Sequence, residues 1–234
     1  MVAAGGRGER ARTATLKQFR ELGARPLISW SLDALEEAGC DPLIVVVPPD
    51  ELDAARAIVD RPDVVLAEGG ETRQESVRSG LTHAKTELVT VHDAARPFLT
   101  PALVLRTVAM LGERDVDGVV VGMPLDETVK RIDDDLIIET MDRSDLWRVQ
   151  TPQTFVTAAL VDAHERAAAD GFKATDDAQV VERYGRGVAL LRGARDNIKL
   201  TFPEDFVIAE AMLAPELREE RGSGARGQPF GDGR

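Results

Sequence analysis

Short apolar runs rich in β-branched residues alternate along this chain with longer stretches in which apolar positions recur every three or four residues. Leu43-Ile44-Val45-Val46-Val47, Val64-Val65-Leu66, Leu88-Val89-Thr90-Val91-His92 and Gly118-Val119-Val120-Val121 read as strands buried on both faces. Between them, Pro26 to Ala38 (with proline near its start), Glu71 to Ala84 and Pro101 to Leu111 read as helices. Strands separated by helices of this length imply parallel pairing through right-handed crossovers. The pattern therefore predicts an α/β fold, a mostly parallel sheet with helices on both faces. In such sheets ligands sit beyond the carboxyl ends of the strands, where Gly69-Gly70, His92-Asp93 and a glycine-rich turn near the start all fall.

The middle of the chain changes period. Glu127 to Arg131 and Leu136 to Thr140 flank Asp133-Asp134-Asp135, which predicts a hairpin with an acidic tip. It is either a dimerisation arm or a plain surface excursion. A helix from Val156 to Ala169, a shorter one after Asp176, a strand at Val188 to Leu191 and a helix from Pro203 to Leu213 complete one domain over 1–213, with the arm at about 125–152. The stretch 214–234, rich in Gly, Arg and Ser, is expected to be disordered. Only Met1 and Val2 precede the glycine-rich turn, which a central apolar strand should lead into. That strand is expected to start upstream, or else to be a stub, because omitting it would cost several kcal/mol of burial and ladder hydrogen bonds.

Charge narrows the functional classes. A net charge of −12 over 234 residues argues against a general nucleic-acid or membrane binder, for which a basic surface is expected. It also makes a local cluster of cations more telling. A lone Cys40 excludes an internal disulfide, and there is no Cys/His zinc pattern. With no leader pattern and no apolar stretch of about 18 residues, a reducing cytoplasm is the expected compartment.

Candidate chemistry lies in three places. Ala3-Ala4-Gly5-Gly6-Arg7-Gly8-Glu9-Arg10, followed by Lys17-Gln18, joins a small-residue turn to two cations, an arrangement suited to a polyanion such as a nucleoside triphosphate. It is neither a Walker A loop nor a GxGxxG fingerprint, and a simple tight turn is the plainer alternative. Gly69-Gly70-Glu71-Thr72-Arg73-Gln74-Glu75-Ser76-Val77 opens a helix whose free N–H groups suit a ligand, with Ser76 able to turn toward a base edge or merely to fill space. His92-Asp93-Ala94-Ala95-Arg96-Pro97 ends the most apolar strand. There Asp93 could hold Mg²⁺ with substrate phosphates completing its shell, and Arg96 could grip a phosphate bidentately. An Asp–Arg pair capping a turn is the bland reading. Lys199, in Asp196-Asn197-Ile198-Lys199-Leu200-Thr201, is read on a strand of mixed polarity, and His83 and His164 as surface residues. Three histidines and no GxSxG leave no case for a Ser/His/Asp triad.

In their order and spacing, AAG…R…KQ, GGxxRxxSV, HDAARP, DRxxLWxxQTPQ, TDDA and DNIKLT resemble the 2-C-methyl-D-erythritol 4-phosphate cytidylyltransferase family, from Ala3 to about Leu213. The resemblance implies a Rossmann-like nucleotidyltransferase fold, a homodimer and a divalent cation, Mg²⁺ or another. It implies that Ala3, Ala4, Gly5 and Gly8 form the nucleotide loop, that Gly69 and Ser76 read the cytosine, and that Asp93 sits near metal and ribose. Arg10, Lys17 and Lys199 match the catalytic cations. Arg96, Thr128 and Lys199 match acceptor contacts, and Arg143 and Thr151 match contacts that the arm delivers to the neighbouring subunit. The family usually has one residue fewer before its KQ lysine, a proline where Leu16 stands and a methionine where Ala11 stands, so Arg7 and Arg12 remain possible stand-ins for Arg10. The implied reaction moves a cytidylyl group from CTP to methylerythritol phosphate. The rivals are a sister enzyme acting on ribitol 5-phosphate or another polyol phosphate, and a nucleotide-binding protein without catalysis.

Overall fold

The structure, a computed structural model, describes residues 1–5 and 19–213. The chain starts with β1 (Val2–Ala3). The short strands β2 (Glu21–Leu22) and β3 (Arg25–Pro26) pair with each other and lead into α1 (Leu27–Glu37). There follow β4 (Leu43–Val47), α2 (Leu52–Val59), β5 (Val64–Glu68), α3 (Arg73–Leu81), β6 (Leu88–Asp93), α4 (Pro101–Glu113) and β7 (Gly118–Pro124). The hairpin β8 (Lys130–Asp133) and β9 (Leu136–Thr140) precedes β10 (Trp147–Val156), α5 (Thr157–Asp170), α6 (Asp177–Arg183), β11 (Val188–Arg192) and α7 (Pro203–Met212).

Seven strands form one sheet in the order β11-β7-β10-β6-β1-β4-β5. Only β10 runs antiparallel to its neighbours, so the expected mostly parallel α/β sheet is what the chain forms. Val2–Ala3 takes the central place, pairing with β4 on one side and β6 on the other, with Ala3 opposite Val46 and Asp93. The strand expected to start upstream or to be a stub is, in the described chain, these two residues.

Successive side chains of a strand point to opposite faces, and β4 divides accordingly. Val45 and Val47 pack against Ile28, Leu32 and Leu35 of α1 and against Leu103 and Val104 of α4. Ile44 and Val46 face Val77 and Leu81 of α3, in the same core as Leu160 and Ala163 of α5. Helices on both faces explain why all five residues of β4 are buried. A third core, with Leu22, Leu27, Leu200 and Phe206, seats α7 beside the segment that carries Lys199. Among the described residues no helix is long and apolar enough to cross a membrane.

Local chemistry sets the helix starts. Thr72 and Glu75 close a capping box on α3, with Glu75 N–H donating to Thr72 Oγ1 at 3.1 Å and Thr72 N–H to Glu75 Oε2 at 3.0 Å. Thr100 caps α4, which begins at Pro101. Asp176 caps α6 through Gln179 N–H at 2.9 Å.

Three expectations need correction. His164 is not on the surface but fully buried. It shares a stripe with Leu160, Ala163 and Ala167, spaced three and four along α5, and that stripe faces the core. Lys199 lies on no strand. Its segment is held instead by Leu200 N–H donating to the Ala95 carbonyl at 2.8 Å and by the buried Leu200 side chain. Thr151 belongs to β10 in the main sheet rather than to the projecting arm. The nucleotide-loop residue Gly8, the expected catalytic cations Arg10 and Lys17, and the stretch 214–234 expected to be disordered lie outside the described residues.

Candidate active site

The parallel strands β1, β4, β5 and β6 end together, so their carboxyl ends bring Ala3, Ala4, Gly5, Gly69 and Asp93 to one edge. Ser76, nearly fully buried in α3, wedges between the two glycine turns. A Cβ on Gly5 would stand 2.8 Å from Ser76 Oγ, and one on Gly69 would stand 2.7 Å away. Both positions therefore admit only glycine without a shift of Ser76. The Ser76 hydroxyl donates to the Thr72 carbonyl at 2.9 Å and accepts from Gly70 N–H at 3.2 Å. It ties the Gly69-Gly70 turn to the start of α3, with the Gly5 turn packed close against it.

Asp93 is the electrostatic centre. Its Oδ2 accepts from Lys199 Nζ at 2.7 Å and its Oδ1 from Arg73 Nε at 3.0 Å. Burial alone would raise the carboxyl pKa, but Arg73 and Lys199 outweigh it and hold the group well below the ordinary carboxylate range. For Arg73, burial disfavours the charge, and Asp177 and Asp93 overcome that and raise its pKa. Arg96 forms no direct ion pair with Asp93. Its Nη1 donates to the Asn197 carbonyl at 2.8 Å, and its Nε has no partner within the described residues. Burial lowers the Arg96 pKa. Arg73, Asp93, Arg96, Trp147, Gln153 and Lys199 help line a cleft of about 550 Å³.

Beneath the cleft lies a polar clasp. Thr151 Oγ1 accepts from Asp93 N–H at 3.0 Å. The Arg96 carbonyl can only accept, so His92 Nε2–H donates to it at 3.0 Å, and the neutral ring's Nδ1 accepts from Thr151 Oγ1, 3.0 Å away. Thr151 thus serves the backbone that positions Asp93 and Arg96 in its own chain. Asn197 Nδ2 donates to the Thr151 carbonyl at 2.7 Å and ties the Lys199 segment to the same point. Burial pushes the His92 pKa down to about 4, and the bond to Arg96 and the charge of Asp93 only partly oppose it. An unfolded imidazole titrates near about 6.5, so between these values the unfolded state takes up the proton and the folded state does not. Stability should fall as pH drops through that window, by about 3 kcal/mol in all. Urea unfolding at pH 7 and near pH 4.5 measures this, and His92→Gln should flatten the dependence.

Of the remaining expected residues, Thr128 and Arg143 are exposed on the arm region and do not line the cleft. Among the described residues no group of three or more His, Cys, Asp or Glu could hold a metal. Asp93 is ionised and lines the cleft with one lone pair left on each oxygen beside the bonds from Lys199 and Arg73, which fits a cation that takes one protein carboxylate and completes its shell with substrate phosphates and water. Arg73 and Asp177 join Asp93 in one chain of ion pairs, and reading the motifs singled out neither. Both stand inside quoted motifs, GGxxRxxSV and TDDA, and a charged residue in each was the available signal.

Fold and site together define an α/β enzyme of the nucleotidyltransferase class. Residues 1–215 match the family model described as IspD, 2-C-methyl-D-erythritol 4-phosphate cytidylyltransferase, and the chain belongs to this family. Among curated relatives, the 2-C-methyl-D-erythritol 4-phosphate cytidylyltransferase of Geobacillus thermodenitrificans is 39% identical over 227 residues, covering 94% of this chain and 98% of the relative. That of Symbiobacterium thermophilum is 41% identical over 226 residues, covering 94% of each. Among solved structures, the Thermus thermophilus enzyme of the same name superposes with a TM-score of 0.76 at 34% identity, over 90% of this chain and 96% of that one. A 4-diphosphocytidyl-2C-methyl-D-erythritol synthase from Anaerococcus prevotii gives 0.78 at 31%, over 91% and 95%.

Proposed function

We propose that the chain transfers a cytidylyl group from CTP to 2-C-methyl-D-erythritol 4-phosphate, giving 4-diphosphocytidyl-2-C-methyl-D-erythritol and pyrophosphate. The observation that carries this reading is the gathering of Lys199, Arg73 and Arg96 around one ionised aspartate at the carboxyl end of β6. An oxygen of the acceptor phosphate attacks the α-phosphorus of CTP, and the new P–O bond forms as the bond to pyrophosphate breaks. No base and no covalent enzyme intermediate are required. The obstacle is bringing two polyanions together, and preorganised positive charge is what lowers it. Lys199 and Arg96 supply that charge from the cleft wall; Arg10 and Lys17, outside the described residues, are the further cations that the family resemblance implies. Mg²⁺ held through Asp93 would add neutralisation of the triphosphate when bound.

The same reading makes the enzyme a cytoplasmic homodimer. Ile132, Leu136, Ile137 and Ile138 are all at least 60% exposed on the β8–β9 hairpin, an apolar surface of the kind that marks an interaction site. A second copy covering this arm would bring Arg143 toward its neighbour's cleft.

Pyrophosphate release with CTP and a panel of polyol phosphates tests the assignment. Turnover should require methylerythritol phosphate. Turnover with ribitol 5-phosphate instead would indicate the sister activity, and CTP binding with no release would indicate a protein without catalysis. Mixing inactive Arg143→Ala with inactive Lys17→Ala should restore part of the activity in hybrid dimers, and absence of rescue would count against the arm.

A further inference from the structure

The ion pairs at the cleft continue into the interior. Arg73 Nε donates to Asp93 Oδ1, and Nη1 of the same guanidinium lies 2.9 Å from Asp177 Oδ2. Asp177 Oδ1 is in turn 3.1 Å from His164 Nε2. Asp177 is 1% exposed and His164 0%, and neither lines the cleft, so neither is placed to touch a substrate there. Burying a carboxylate this deeply is costly unless it is paired and hydrogen-bonded, and an apolar pair of similar volume would often stabilise a fold as well or better. Core packing alone therefore gives no reason for the charge.

The geometry gives one. Arg73 is the first residue of α3, and its guanidinium is clamped between two carboxylates from different elements. It is held at the cleft wall by a hydrogen bond to Asp93 on one side and an ion contact to Asp177 on the other, which opposes its turning to a phosphate before reaction. Asp93 is then fixed with its second oxygen toward Lys199. We infer that Asp177, oriented by His164, is a positioning residue for the transfer reaction: it locks Arg73, which locks Asp93, which aims Lys199. The inference rests on the cytidylyl-transfer reading, and turnover by the parent protein tests that reading separately.

Asp177→Asn keeps shape and removes the charge. It should lower kcat by about 100-fold, the size of effect a misplacement of about 1 Å can have. KM for CTP should stay within about threefold, the pattern of an interaction realised only in the transition state. Arg73→Lys, which keeps the charge but cannot bridge two carboxylates, should match it and serves as the variant if Asp177→Asn fails to fold. His164→Gln retains an N–H donor near the position of Nε2 and should stay close to parental kcat, whereas His164→Leu should not. An independent readout is the Arg73 Nε–H resonance in ¹⁵N NMR, identified by its loss in Arg73→Lys. It should exchange slowly in the parent and rapidly in Asp177→Asn, whether or not the protein turns over substrate. Parental kcat in Asp177→Asn or Arg73→Lys, or an unchanged Arg73 resonance in Asp177→Asn, would overturn the inference.

Discussion

Lys199→Met is expected to lower kcat by roughly 10²–10³-fold, the cost of deleting one preorganised donor to developing transition-state charge, while the protein folds as before. The Lys199 side chain is 45% exposed, so its ion pair with Asp93 is partly screened and adds little to stability. Asp93 also keeps Arg73 as a partner. The segment around Lys199 is fixed by other contacts, the Leu200 side chain in the third core and Asn197 on Thr151, and none of these changes with the substitution. Methionine retains the aliphatic stem and removes only the charge. Steady-state pyrophosphate release against a thermal melt separates the two effects, and a variant that turns over within about threefold of the parent would remove Lys199 from the mechanism.

Much of this arrangement can be read from the residues alone, and the failures have physical causes. β4 is an unbroken run of leucine, isoleucine and valine and β7 a run of valine between glycines, short and β-branched as strands buried on both faces are. β10 is harder, because Pro152 argues against a central strand. Its register against β7 shifts between Gln150 and Gln153, so Thr151 and Pro152 sit in an irregularity that needs no ladder hydrogen bond from proline. That irregularity also places Thr151 beneath Asp93. The feature that hides the strand is the one that helps build the site.

Residues at the carboxyl edge were legible as candidates because glycines and charges at strand ends stand out against an acidic chain. What a single sequence does not reveal is pairing between distant segments. Arg73 stands in a helix start and Asp177 in another more than a hundred residues later, and nothing local to either announces the other. His164 had a signal that was available, its place on the stripe of Leu160, Ala163 and Ala167. A histidine on an apolar stripe with a buried carboxylate opposite is a core group, whatever its polarity suggests in isolation.

Asp93→Asn should be the most damaging substitution within the described residues. Asparagine preserves shape but removes the charge on which Arg73 and Lys199 converge and that Arg96 lies near. Breaking a buried ion pair by removing one partner costs about 3–5 kcal/mol when the other is left uncompensated; Arg73 keeps Asp177 and the Lys199 side chain is 45% exposed, so the loss should lie toward the lower end of that range. The Asp93 side chain is 11% exposed, which puts it in that regime. The released Arg73 and Lys199 would also lose their aim, so kcat should fall at least as far as in Lys199→Met. The pH dependence follows from the depressed pKa. An unfolded aspartate titrates near about 3.9, and the folded value lies below it, so the stabilisation from Asp93 is complete above about pH 5 and is lost as pH falls through the folded value. Asp93→Asn should therefore be less stable than the parent at pH 7, with the gap closing only in strong acid, below the window in which His92 acts. Adding Lys199→Met to Asp93→Asn removes the cation left without its carboxylate and should recover a small part of the lost stability, a coupling of about 0.5–1 kcal/mol for a partly screened pair in contact. Denaturant unfolding of the four proteins in this cycle measures it. Strict additivity would mean that the 2.7 Å contact between Lys199 and Asp93 carries no energy, and with it would go the role of Asp93 as the anchor of the cationic cleft.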